Sequence, residues 1–414
     1  MEKLIDFEKA QKKSGGRAWL GKPARRPARA IKGKTVAIVL VALSAVALVP
    51  GAIVRLTDNV VADGLAYTGS HLVFLAVGLV SMLLLWRFFD YEALKRHSAW
   101  FWCLVACAAV PLLLLIGFDF QRWITVAGVE VSIPRECFVL LGVLCFLIVL
   151  EEIPLQVGGG IATSLLAFVV LMALVAPFGF VAALFALCIA TAVLVFANRK
   201  AHFLSRAGLG ITIVLFITVF WVGVAVLFGM FYRGRGGFEA FVTTGNSDPL
   251  GAGWQIKQLT YWNSYSQLVG APDAAPLHPF EEMSVLFFAE YPLVNMAVLY
   301  GRIISIAAIL VLVAMAAFIV YALVVQAHTS GSSLMAMLGF MILAKAAAGI
   351  LKNYALMPPT AILNIPLLGE SGLSLVLSCV MLGIFASLVW RPAWGLAGKD
   401  RFDRWRKVSG RKAA

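Results

Sequence analysis

Apolar residues gather into ten long windows, near 35–55, 70–86, 99–117, 136–154, 161–178, 180–197, 209–232, 294–326, 331–350 and 372–390. Each approaches the roughly 20 apolar residues that an α-helix needs to cross the hydrocarbon core of a bilayer. Lipid offers no water to backbone N–H and C=O groups, so such a segment closes its hydrogen bonds on itself as a helix. The pattern predicts an all-α, polytopic integral membrane protein of about ten transmembrane helices. The 161–197 stretch admits two readings, because Ala176-Pro177-Phe178-Gly179 is either a turn between two helices or a kink within one.

Polar residues divide the chain into a basic arm (1–34), a transmembrane domain (35–390) and a basic tail (391–414). Lysine and arginine concentrate in the arm, in the tail and in the connections at 87–97 and 198–206. Positive charge flanks the cytoplasmic ends of membrane helices, so both termini are expected in the cytoplasm. The arm is expected to be disordered and to contain no cleavable signal peptide. Counting outward from it, three segments fall on the outer face: 118–135, the large loop 233–293 between helices seven and eight, and 351–371. Long loops are where functional residues concentrate, and these three are expected to converge on one outward-facing site.

Composition agrees. Hydrophobic residues make up 61% of the chain and charged residues 13%, against roughly 25% charged in a soluble domain. The net charge of +13 reads as topology signal plus attraction to anionic lipid at the cytoplasmic face, not as a nucleic-acid surface. The six cysteines lie within or at the ends of the windows with no CxxC pair, so neither a disulfide framework nor a zinc site is expected.

Several charged residues sit where lipid would penalise them. Lys345 falls inside the ninth window, and an intramembrane lysine suggests a functional site. Lys352, at that window's end, reads more simply as a cation snorkelling to the interface. Arg122 has the fork geometry that grips a phosphate. Trp123 suits either an interfacial belt or ligand stacking, and Glu136 either a helix-start carboxylate or a site residue. His278 reads as an ordinary loop histidine, and Glu151-Glu152 as the inner end of span four.

Asp90-Tyr91, Arg122-Trp123-Ile124, Gly128 and Ile133-Pro134-Arg135-Glu136 occur in that order. They are followed by DPLGAGWQIKQL (Asp248–Leu259) and LMPPTAILNIPLLGESGLS (Leu356–Ser374). In this ordered set the chain resembles the SEDS glycosyltransferases, membrane proteins of cell elongation, division and sporulation that polymerise peptidoglycan, over about residues 36–390. The resemblance implies a bacterial cytoplasmic-membrane enzyme acting on lipid II or a related undecaprenyl-linked glycan, beside a single-span class B penicillin-binding transpeptidase. It implies substrate-binding roles at Arg122, Trp123, Glu136, Gln255, Glu290 and Thr360, with Lys345 or Lys352 as cations for the pyrophosphate. Anchoring on Ala289-Glu290 places Glu282 at the family's catalytic carboxylate, with Glu281 the near alternative. A carboxylate there would take the proton from an acceptor hydroxyl as the pyrophosphate leaves; the bland alternative is a solvated loop pair. A divalent cation is left open.

The chain also departs from the family pattern. Arg135 replaces a serine, Val139 a lysine, and TYWNSYSQLVG (Thr260–Gly270) a glycine-rich run. These departures keep two further functions in view: a scaffold of the cell-wall machinery without catalysis, and a carrier of lipid-linked intermediates, which a lysine at the membrane midplane would suit.

Overall fold

The structure, a computed structural model, describes residues 33–61, 65–91, 123–126, 129–132, 160–175, 180–201, 204–230, 242–243, 252–270, 291–326, 331–357, 364–368 and 373–390, together with scattered helical residues between 140 and 150. Helices α1 (Gly33–Val61) and α2 (Leu65–Phe88) precede a ribbon of β1 (Trp123–Val126) and β2 (Val129–Ser132). Then come α3 (Gly160–Val175), α4 (Phe180–Ala201), α5 (Arg206–Met230), α6 (Ala252–Tyr265), α7 (Pro292–Leu299), α8 (Arg302–Val325), α9 (Ser332–Asn353) and α10 (Leu373–Trp390). The class is all-α, the short antiparallel ribbon apart. It pairs Trp123 with Ser132 and Val126 with Val129.

Five described helices carry windows long and apolar enough to span a membrane, in α1, α5, α8, α9 and α10. Their burial ranks them. Only 28% of the α5 and α8 windows is buried, against 61% for α9 and 67% for α10, so α9 and α10 form the centre and the others present apolar faces outward. Between helices in lipid the hydrophobic effect gives little drive, and close packing does the work. Thus α10 packs on α2 and α1, α9 lies against α4 and α8, and α3, α4 and α5 pack on one another. Two hydroxyls within spans turn back to the preceding turn: Ser44 Oγ donates to the Leu40 carbonyl at 2.7 Å and Thr212 Oγ1 to that of Gly208 at 2.8 Å.

Lys34 Nζ lies 5.4 Å from the Trp390 ring centroid, Trp86 meets Trp390 edge-on at 5.5 Å, and Gln326 Nε2 donates to the Val389 carbonyl at 3.1 Å. The start of α1 and the ends of α2, α8 and α10 therefore share one end of the bundle, as an even number of crossings requires. The opposite end carries α6, the start of α7 and the end of α9.

Helix boundaries agree with the apolar windows at most positions. The 161–197 stretch resolves into two helices, α3 and α4; residues 176–179 between them lie outside the described residues, as do window 99–117, residues 1–32 and the tail. The 294–326 window differs from expectation, since it holds α7 and α8 rather than one span. The break is at Tyr300-Gly301, where Gly301 has φ 96° and ψ 158°. That combination is essentially restricted to glycine. The bend lets residues 267–270 lie against it: Gly270 N–H donates to the Tyr300 carbonyl at 3.2 Å, Arg302 N–H to Gln267 at 2.9 Å and Ile303 N–H to Leu268 at 3.2 Å. A Cβ on residue 301 would fall 2.7 Å from both the Leu268 carbonyl oxygen and Val269 Cα. Gly301→Ala is expected to destabilise by at least about 1–3 kcal/mol, read as a lower thermal midpoint in detergent; an unchanged midpoint would show that the junction relaxes freely.

Candidate functional site

Gln255 lies on α6, a helix within the long 233–293 loop. This helix buries Ile256, Leu259 and Trp262 at a spacing of three and leaves Trp254, Lys257 and Tyr261 exposed. Leu259 and Trp262 join Tyr291, Val294 and Val298 in a small apolar cluster, which seats α6 across the start of α7. Arg302 fixes the far end of α6, with Nε donating to Ser266 Oγ at 2.9 Å and an Nη to the Asn263 carbonyl at 2.7 Å. A cation there also complements the negative end of the helix dipole. Seated in this way, α6 brings Gln255 Oε1 to 3.5 Å from the Tyr291 hydroxyl, long for a hydrogen bond but a polar contact.

Tyr291 reaches Lys352 from the other side. The Lys352 ammonium lies 5.0 Å from the Tyr291 ring centroid and donates to Asn364 Oδ1 at 2.7 Å. Lys352 is fully buried, so the snorkelling expected of a helix-end lysine does not occur. The reason is that the last turns of α9 are folded under residues 364–368. Gly349 permits the crossing, because a Cβ there would sit 2.5 Å from Ile365 Cγ1 and 2.8 Å from its backbone nitrogen. A buried charge is costly unless compensated, and the amide oxygen and the aromatic face both compensate this one.

Lys345 is also fully buried and donates to Ser378 Oγ of α10 at 3.1 Å. It lies two turns from Lys352 on the same face of α9, about 10 Å away at 1.5 Å per residue. Along α9 it is about 20 Å from the start and about 12 Å from the end, so it belongs to the half of the helix nearer Lys352 rather than to its midpoint.

Of the residues singled out from sequence, the structure brings Gln255 and Lys352 together through Tyr291. Trp123 opens β1. Arg122, Glu136, Glu281, Glu282, Glu290 and Thr360 lie outside the described residues, so their convergence with this cluster is not described. Tyr291, Asn353 and Asn364 belong to the cluster and were missed. The signal for Asn353 was its adjacency to Lys352, since two polar residues closing an apolar window need partners inside the protein. Among the described residues no three His, Cys, Asp or Glu side chains gather as metal ligands.

Beside the cluster, a partly open apolar cavity of about 700 Å³ runs between α1, α7 and α8, lined among others by Ala47, Met296, Leu299, Ile304 and Ala308. Leu368 also lines it, four residues along the chain from Asn364, so the groove and the polar cluster share one segment.

No protein-family model and no curated protein matches the chain by sequence. Solved structures do match it. One is a chain from work on the structural coordination of polymerization and crosslinking by a peptidoglycan synthase complex, with a TM-score of 0.62 at 18% identity over 84% of this chain and 96% of that one. Another is a point variant of the Thermus thermophilus rod shape determining protein RodA, with a TM-score of 0.53 at 17% identity over 86% of this chain and 98% of that one. The fold is therefore that of a polytopic helical membrane protein. More narrowly, it is a fold like that of RodA.

Proposed function

We propose that the chain is a divergent SEDS glycosyltransferase that extends a glycan from lipid II or a related undecaprenyl-linked precursor at the outer face of the bacterial cytoplasmic membrane. The observation that carries this reading is the meeting of Gln255 and Lys352 at Tyr291. With Asn364 holding the Lys352 ammonium, it joins two of the three segments with family resemblance, Asp248–Leu259 and Leu356–Ser374, around a buried cation, in a fold similar to that of a chain of a peptidoglycan synthase complex. In this reading Glu282 takes the proton from the acceptor sugar hydroxyl, and that oxygen bonds to the donor's anomeric carbon. The bond from that carbon to the pyrophosphate oxygen breaks, and the pyrophosphate departs with the electron pair. Positive charge fixed in a low-dielectric site stabilises such a leaving group as its charge develops. Lys352, itself buried, supplies part of that positive field from within the protein, and Arg122 contacts the pyrophosphate. The polyprenyl tail takes the apolar groove between α1 and α8.

A single-span class B transpeptidase is the proposed partner, and anionic lipid the contact of the basic arm and tail. The deciding experiment is whether purified protein makes polymer from lipid II. Failure there, with partner binding intact, favours the scaffold reading, which the residues differing from the family pattern also support.

The orientation has its own test. A cysteine at Ser247 is expected to react with a membrane-impermeant maleimide from outside the cell, and one in the basic arm is expected to be protected. The reverse pattern would invert the topology and move the cluster to the cytoplasmic face.

A further inference from the structure

Helix α7 begins without a cap of its own. Its N-cap residue, Tyr291, makes no side-chain cap bond, and Pro292 at the first helical position has no N–H to offer. The next two amides are capped from elsewhere in the chain. Asn353 Oδ1 accepts from the backbone N–H of Leu293 at 2.9 Å and of Val294 at 3.4 Å. Asn353 is fully buried, its Nδ2 donates to the Gly349 carbonyl at 2.8 Å, and its own carbonyl accepts from Asn263 Nδ2 of α6 at 3.0 Å. One residue at the end of α9 thus binds α6, α7 and α9 together. It does what an N-cap asparagine ordinarily does, but from about sixty residues away in the chain.

We propose that Asn353 is a positioning residue for the Lys352 ammonium. By capping α7 it fixes Tyr291, the residue immediately before that helix, with its ring against the ammonium that Asn364 also holds. Asn353 is the next residue to Lys352 on α9, so the same side chain sets both members of the contact: the helix end that carries the cation and the helix start that carries the ring. Without the cap, the start of α7 frays and the ring withdraws. The ammonium then keeps Asn364 but loses its aromatic face and its seclusion. The proposal deepens the reading of Lys352 as the charge that stabilises a departing pyrophosphate, and it rests on that reading for its effect on rate. Its effect on the lysine itself does not depend on any activity.

The test therefore has two arms, both on the full-length protein in detergent. In the first, acetic anhydride labels amines and mass spectrometry reads the peptide containing Lys352. The wild-type lysine is expected to resist labelling, Asn353→Ala to label at least ten times faster, and Asn353→Asp to stay protected, since a carboxylate accepts the same two N–H bonds. Loss of the Nδ2 donor to Gly349 makes that rescue incomplete. In the second arm, kcat and KM for lipid II are measured. Asn353→Ala is expected to lower kcat more than tenfold in the wild-type background and to change nothing further in a Lys352→Met background, because residues acting through one group are not additive. If Asn353→Ala does not accumulate in the membrane, Asn353→Ser, too short to reach α7, takes its place in both arms. Unchanged labelling, or rate losses that multiply across the double variant, would overturn the proposal and leave Asn353 a structural tie. Expected labelling with a wild-type protein that makes no polymer would sink the enzyme reading and leave the positioning role standing.

Discussion

Glu282→Gln is expected to reduce polymerisation of lipid II by about 10²- to 10⁴-fold, the usual consequence of losing a general base, while the protein's level in the membrane is unchanged. Glutamine keeps the size and the accepting oxygen but cannot take a proton, so the loss isolates proton transfer from shape. Glu282→Asp keeps a carboxylate on a side chain one methylene shorter and is expected to retain activity. Glu281→Gln is the internal control and is expected to be mild. Initial rates of glycan formation by purified variants, with membrane level followed on immunoblots, decide among the outcomes. If the two glutamine variants exchange behaviour, the base is Glu281 and the mechanism survives. If both keep full activity, the carboxylate mechanism is wrong, and a scaffold becomes the better account of the fold.

Span positions were legible from sequence because the signal is thermodynamic and local: about twenty apolar residues in a row have one stable solution in lipid. The centres of α1, α2, α3, α4, α5, α9 and α10 followed from that alone. The break between α7 and α8 did not, because Val294–Val325 is apolar nearly throughout and the interruption depends on a backbone angle at Gly301 that hydropathy does not report. The site was legible by halves. Motif resemblance pointed to Gln255, and the cost of a charge near lipid pointed to Lys345 and Lys352. The fate of Lys352 was misjudged, because a lysine at the end of an apolar window looks the same whether it reaches out to headgroups or folds under another segment. What decides is the crossing of residues 364–368 over Gly349, a tertiary contact that no window of sequence contains. Asn353 went unnoticed for a related reason: its partners, Leu293 and Val294, are backbone amides distant in the chain, and a cap supplied from so far along the chain leaves no mark beside the helix it caps.

Lys352→Met should separate stability from function more sharply than any other change in the described residues. Methionine has nearly the length and shape of the lysine stem, and replacing a buried ion by an apolar side chain of similar volume is often neutral or stabilising. Against that stands the unpaired Asn364 Oδ1, which costs about 1–3 kcal/mol if it finds no other donor. The two effects oppose each other, so the thermal midpoint is expected to move little in either direction. Activity has no such compensation. If the ammonium stabilises the departing pyrophosphate, its removal is expected to lower kcat about 10²- to 10³-fold, the range for loss of one preorganised group that stabilises developing charge. Lys352→Arg keeps the charge but must fit a planar fork between Tyr291 and Asn364, and it is expected to recover part of the rate. Lys345→Met supplies the comparison: it removes a cation about 10 Å deeper along the same helix face, and its effect on kcat is expected to be smaller. Thermal scans and polymerisation rates on the three purified variants make the distinction. Equal losses for Lys345→Met and Lys352→Met would mean that total positive charge in the bundle matters and not its place. A Lys352→Met protein with full activity would remove the cation from the mechanism and leave the cluster around Tyr291 as packing alone.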